Sequence, residues 1–131
     1  MKEYKIAVIP GDGIGPEVIS EGVKVLQAIE ENDPSISFSF SEFPWGCEYY
    51  LKHGKMMDED GLDILKDYDA IYLGAVGYPN VPDYISLRDL LIKIRREFDQ
   101  YVNLRPIQLL NPALTPLKGK TEKDIDMLVI R

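Results

Sequence analysis

The juncture between Ile6-Ala-Val-Ile9 and Pro10-Gly11-Asp-Gly-Ile-Gly15-Pro16-Glu17 constrains the fold more than any other part of the chain. An unbroken, β-branched apolar run suits a strand covered on both faces, as in a parallel sheet. The glycines interrupt it. Pro16 then fits the first turn of a helix, where Glu17 complements the positive end of the helix dipole. Ile19, Val23 and Leu26 recur at helical spacing, with Val18, Val25 and Ile29 widening the same stripe, which predicts a helix to about Ala28.

The rest of the chain repeats this alternation. Ile36, Phe38 and Phe40 alternate with serines, the period of a half-buried strand. Tyr49–Lys52 reads as a short helix stopped at Gly54, with His53 at its end, and Asp58–Asp67 as another with Leu62 and Leu65 inward. Ala70–Leu73 reads as a second buried strand running into Gly74-Ala75-Val76-Gly77. After a Pro/Asn/Asp loop over Tyr78–Tyr84, Ser86 has the character of an N-cap for a helix with Leu87, Leu91, Ile94 and Phe98 as its apolar stripe. An extended stretch follows around Pro106, then a loop, then a buried-strand pattern over Ile125–Ile130. Alternating strands and helices indicate an α/β fold built from βαβ units. No later helix follows to cover the last strand before Arg131, so we expect part of a longer protein.

Composition narrows the function classes. With 15 Lys+Arg against 22 Asp+Glu the net charge is −7, which argues against nucleic acid and anionic membrane surfaces as partners. Cys47 stands alone, so no internal disulfide can form, and one His leaves no Cys/His metal cluster. No signal-peptide core precedes the first strand, and the longest apolar run, Ala70–Val76, is too short to span a bilayer. A cytoplasmic-type protein is expected.

Two glycine turns and three arginines carry the chemistry. The Gly11–Gly15 turn has the spacing G-x-G-x-G, which meets neither the dinucleotide fingerprint nor the P-loop and favours a plain tight turn. Gly74–Gly77 lies at the carboxyl end of a strand, where open α/β sheets bind ligands, and a simple turn is the alternative. At 100° per residue, Arg95 falls at the border of the helical stripe and Arg96 nearly opposite it. Arg105 is pinned extended by Pro106, and Arg131 ends a strand. Guanidinium forks bind carboxylates bidentately, so a converging set would suit a di- or tricarboxylate. Each arginine taken alone reads as a surface charge.

Four ordered segments resemble the β-decarboxylating dehydrogenases, the isopropylmalate/isocitrate dehydrogenase family. They are Val8–Glu17, Leu73–Gly77, Ile94–Pro106 and Asp124–Arg131. Phe43–Cys47, Tyr49–Gly54 and Phe98–Val102 look most like the tartrate dehydrogenase/decarboxylase and D-malate dehydrogenase members. The resemblance implies an incomplete isocitrate/isopropylmalate dehydrogenase-like α/β/α sandwich, with residues 1–102 in a first, NAD-side domain and 103–131 crossing into a second, dimerisation and substrate domain. It implies NAD-dependent oxidation and decarboxylation of a tartrate- or D-malate-type 2-hydroxy acid with Mg²⁺ or Mn²⁺, in a homodimer.

By motif, Arg95, Arg105 and Arg131 would bind substrate; Ser86, Arg88 and Leu91 would select its side group; and Ile14, Gly74, Ala75, Val76 and Gly77 would line the NAD site. Metal ligands and the catalytic acid and base would lie beyond residue 131, so these 131 residues alone are expected to be inactive. Two alternatives stand beside this reading. 3-Isopropylmalate dehydrogenase would need an apolar pocket from Leu91 and Ile92. A non-catalytic flavodoxin-like or receiver-like binding module would need a complete sheet, and for a receiver an acidic cluster where Pro10 and Gly11 stand.

Overall fold

The computed structural model describes residues 2–131, and the chain divides into two compact units, one running to Glu97 and the other Phe98–Arg131.

In the first unit, β1 (Lys2–Gly11) lies at the centre of a three-stranded parallel sheet in the order β2-β1-β3, with β2 spanning Ile36–Glu42 and β3 Ala70–Ala75. Ile6 faces Phe40 on one side and Ala70 on the other, and Gly11 faces Ala75. As the sequence indicates, β1 is the covered strand, with Ile6, Ala7, Val8 and Ile9 all buried. Helix α1 (Gly15–Asn32) packs Ile19 onto Ile6 and Val8, with Val23, Phe38, Phe40 and Tyr72 around them. Full burial of such side chains stabilises by roughly 1.5–3 kcal/mol each, so this cluster anchors the unit.

Several local expectations need correction. α1 runs past Ala28 to Asn32, whose side-chain amide donates to the Ala28 carbonyl. Its packed stripe is the narrow one: Val18, Val25 and Ile29 are exposed, because three strands cover only one side of the helix. β3 is half-buried rather than buried, since among the described residues no strand pairs with its outer edge. Helix α2 begins at Cys47 and ends at His53, where Gly54 takes the left-handed cap conformation that glycine adopts freely. Helix α3 is confined to Gly61–Leu65.

The largest departure concerns the helix after the Pro/Asn/Asp loop. It starts at Asp83, not Ser86: Pro82 holds an extended conformation that ends the loop, and Asp83 favours the first turn. Ser86 is 1 % exposed, and its hydroxyl donates back to the Asp83 carbonyl instead of capping. α4 (Asp83–Ser86) continues into a π-helical stretch, Leu87–Ile92, and then α5 (Lys93–Glu97). The wider winding moves the buried positions to Ser86, Leu90 and Ile94, spaced four apart, and leaves Leu87 exposed.

In the second unit, β4 (Leu104–Gln108) and β5 (Asp126–Ile130) form an antiparallel pair. All positions of both strands are exposed, contrary to the expectation of a buried last strand. A continuous apolar run reads alike for a covered strand and for one in a bare two-stranded ribbon.

Candidate functional site

The carboxyl ends of β1 and β3 meet in a tightly closed seam. A Cβ at Gly11 would run into the Ala75 carbonyl oxygen, and one at Gly74 into the Pro10 carbonyl oxygen, so neither position admits a side chain. The Asp12 amide donates to the Ala75 carbonyl at 2.7 Å, and the Gly15 amide to the Asp12 carbonyl at 2.9 Å. Asp12 itself, 2 % exposed, is the residue that sequence reasoning missed. Its carboxylate accepts from the amides of Cys47 (3.0 Å), Glu48 (3.1 Å) and Gly77 (3.1 Å), joining the glycine turn, the start of α2 and the turn after β3. The amides of Gly15 and Gly77 are therefore consumed internally. The Gly11–Gly15 segment behaves here as a locked turn, not as an open phosphate cradle.

The expected cofactor-lining residues divide accordingly. Gly74 and the Ala75 carbonyl are committed to the seam, and Val76 is half-buried. Ile14 (64 % exposed) and Gly77, with open space where a Cβ would stand, face outward. The result is an apolar, side-chain-poor rim on two adjacent strands.

Next to the seam, Cys47 is fully buried, and burial together with its Asp12 neighbour pushes the thiol up to about 12. We expect Cys47 to resist iodoacetamide at neutral pH and to react only as the protein unfolds; rapid stoichiometric labelling of the folded protein would contradict this. Trp45 is buried against Phe43, with ring centroids 4.5 Å apart, and its indole N–H donates to Asp58 at 3.1 Å. The Tyr49 hydroxyl donates to the other Asp58 oxygen. These bonds, Tyr49 first, hold the Asp58 carboxyl below the usual carboxylate range. Asp58 thus contributes stability above the ordinary carboxyl pKa of about 3.9, lost as pH falls through its lower folded value. Asp58→Asn should flatten the acid limb of a stability–pH curve below about pH 4, measured by urea midpoints; an unchanged limb would place the acid sensitivity elsewhere.

The three arginines expected to bind substrate fall in different units. Arg95 lies on α5 and is exposed, as is Arg96. Arg105 and Arg131 lie together on one face of the β4–β5 ribbon. Asn103 and Arg131 exchange backbone hydrogen bonds at 3.1 and 2.9 Å, and the Asn103 side chain accepts from Arg105 Nε at 3.2 Å. Cross-strand partners and residues two apart share a face, so Asn103, Arg105 and Arg131 stand on one side of the ribbon, where the Asn103 side chain holds the Arg105 guanidinium. Among the described residues, none of the five arginines pairs with a carboxylate, whereas Lys24, Lys55 and Lys66 do. Free forks in a chain with an acid surplus are available to an external carboxylate. The described residues contain no group of three His, Cys, Asp or Glu side chains placed to hold a metal ion, and no helix among them is long and apolar enough to cross a membrane.

Comparison with known proteins adds the family. The family described as isocitrate/isopropylmalate dehydrogenase matches residues 5–131. A probable tartrate dehydrogenase/decarboxylase of Agrobacterium vitis is 50 % identical over 131 residues, covering 100 % of this chain and 37 % of the relative. The decarboxylating D-malate dehydrogenase of Escherichia coli strain K12 is 55 % identical over 133 residues, again covering 100 % and 37 %. The chain thus spans about 37 % of the length of these relatives. Among solved structures, a β-decarboxylating dehydrogenase from Thermococcus kodakarensis superposes with a TM-score of 0.67 at 31 % identity, covering 98 % of this chain and 33 % of that one. An isocitrate dehydrogenase from Methylococcus capsulatus reaches 0.73 at 24 % identity, covering 97 % and 34 %, and so supports the fold alone.

Proposed function

Because this chain belongs to the isocitrate/isopropylmalate dehydrogenase family, we propose that it forms part of an NAD-dependent decarboxylating dehydrogenase acting on a malate-type 2-hydroxy acid. The observation that carries this reading is the 50–55 % identity, along the whole chain, to proteins named for tartrate and D-malate. The same kinship is the basis for a homodimeric, cytoplasmic enzyme. Residues 1–102 are assigned to its cofactor-side domain and 103–131 to the crossover into the second; the division between Glu97 and Phe98 supports a boundary in this stretch.

In this reading the substrate carboxylates are held by Arg95, Arg105 and Arg131, with Asn103 steering Arg105. Ile14 and Gly77, an exposed apolar side chain and an open stretch of backbone, would line the nicotinamide side of the NAD site. NAD, when bound, supplies the hydride acceptor. Asp12 fixes the rim by holding the Gly77 turn against the glycine turn. The segment Ser86–Ile92 selects the substrate's side group. For Mg²⁺ or Mn²⁺ the described residues offer no ligand set, so none is assigned a metal role.

A substrate panel tests the proposal: the intact protein with NAD and Mg²⁺ or Mn²⁺ against D-malate, tartrate and 3-isopropylmalate, following reduced nicotinamide and released CO₂. Coupled formation of both with at least one acid is expected. No NAD-linked oxidation of any of the three would overturn it.

A further inference from the structure

The sheet face turned away from α1 carries a groove to which the dehydrogenase reading gives no role. Ile6 and Val8 pack under α1, so Lys5, its cross-strand partner Ser39 and the next residue on that side, Ser41, stand on the opposite face. β2 is the outer strand there, and the turn that follows α3 forms the facing wall. Lys5, Ser39, Ser41, Ile64, Asp67 and Tyr68 line a volume of about 370 Å³, enough for a small metabolite. Six residues of strand, about 20 Å, separate Lys5 from Gly11 at the seam.

The charges single this groove out. The Lys5 ammonium and the Asp67 carboxylate line the same space but lie too far apart to pair, and among the described residues neither takes part in an ion pair. Their neighbours are committed elsewhere. The Asp69 carboxylate accepts from the Lys5 backbone amide at 2.8 Å, and Lys66 is held by Asp63 at 2.8 Å and Glu97 at 3.7 Å. The hydroxyls of Ser39 and Ser41 supply further donors on the Lys5 side. The Tyr68 ring, edge-on to Phe43 with centroids 5.7 Å apart, joins Ile64 as an apolar patch between the charges.

Opposite charges held apart across a small space suit a ligand that carries both signs on neighbouring atoms. A dicarboxylate would meet Asp67 as a like charge, and a simple cation would meet Lys5. We propose that this groove binds a free α-amino acid with an apolar side chain. Its carboxylate accepts from Lys5 and the serine hydroxyls, its ammonium donates to Asp67, and its side chain lies on Ile64 and the Tyr68 ring. Contacts to both charges are charge-assisted hydrogen bonds of about 2.7–2.9 Å. Such a site stands whether or not the dehydrogenase reading does.

A ligand-observed NMR titration of the intact protein with L-leucine is the test. The expected dissociation constant is on the order of 1 mM, as befits a small ligand in an open groove. Leucinamide, which lacks the carboxylate, and N-acetylleucine, which lacks the ammonium, should each bind at least about fivefold more weakly. Lys5→Met and Asp67→Asn, both at exposed positions, should each weaken L-leucine binding by at least about the same factor. Lys52→Met removes an exposed lysine on α2, outside the groove, and should leave binding within about twofold. No binding up to about 20 mM L-leucine, equal affinity for the three ligands, or binding that survives both groove substitutions overturns the inference. Binding of acetate or inorganic phosphate that needs Lys5 but not Asp67 overturns it as well, since it marks a plain anion site.

Discussion

Arg95→Ala in the intact protein is expected to lower kcat/KM for the hydroxy acid by about 2–5 kcal/mol, some thirtyfold to several thousandfold, because one substrate carboxylate is left without its fork. Arg105→Ala and Arg131→Ala should each fall in the same range. Arg96→Ala provides the contrast: it lies one row further round the helix, also exposed and also free of a carboxylate partner, and should change kcat/KM by less than about threefold, within the range of an ordinary surface change. Steady-state kinetics on the four variants decides. Equal losses at Arg95 and Arg96 would mean that the net positive field, not a specific fork, attracts the acid.

The second large effect is expected on folding. Asp12→Ala strands three backbone amides, those of Cys47, Glu48 and Gly77, at a position only 2 % exposed. A buried donor left without a partner costs about 1–3 kcal/mol, so the variant should lose about 3 kcal/mol or more, a large share of a typical domain's stability. Urea unfolding measures the loss. Asp12→Asn keeps the shape and one acceptor oxygen but adds two donors, and should fall between the parent and the alanine variant. A difference under about 1 kcal/mol for Asp12→Ala would show that water replaces the carboxylate at this seam.

The parts of the fold that were legible in the sequence carry strong local signals. The apolar run Ile6–Ile9, the glycine break and Pro16 specify a strand, a turn and a helix through backbone chemistry alone, and the structure has all three in place. What sequence reasoning missed has no local signature. Asp12 lies between two glycines and looks like any turn aspartate; its importance comes from three amides, two of them more than thirty residues away and one more than sixty. The π-helical turn is invisible to a pattern that assumes 3.6 residues per turn, so the spacing points to Leu87 and Leu91 where Ser86 and Leu90 are buried. Val18, Val25 and Ile29 match an inward stripe in spacing, yet spacing cannot say how much of a helix a three-stranded sheet will cover. The arginines are legible from their chemistry and by resemblance, whereas Asn103, which holds the Arg105 guanidinium, gives no signal beyond its place two residues before Arg105.

The strand order has a kinetic side. β1 is central, but neither of its partners is adjacent in sequence: Ile6 must reach Phe40 across a helix and then Ala70 across two more. Every pairing in this sheet is parallel, so no hairpin can nucleate it, and two long loops must close before the central strand gains its neighbours. Parallel sheets assembled this way have high contact order and fold slowly for their size. Until both loops have closed, Ile6–Ile9 is a short, uncharged, β-branched segment with free edges, the composition that adheres to other chains. The most buried strand of the native protein is for that interval its most aggregation-prone one, and conditions that delay loop closure should lower the yield of refolding before they lower the stability of what has folded.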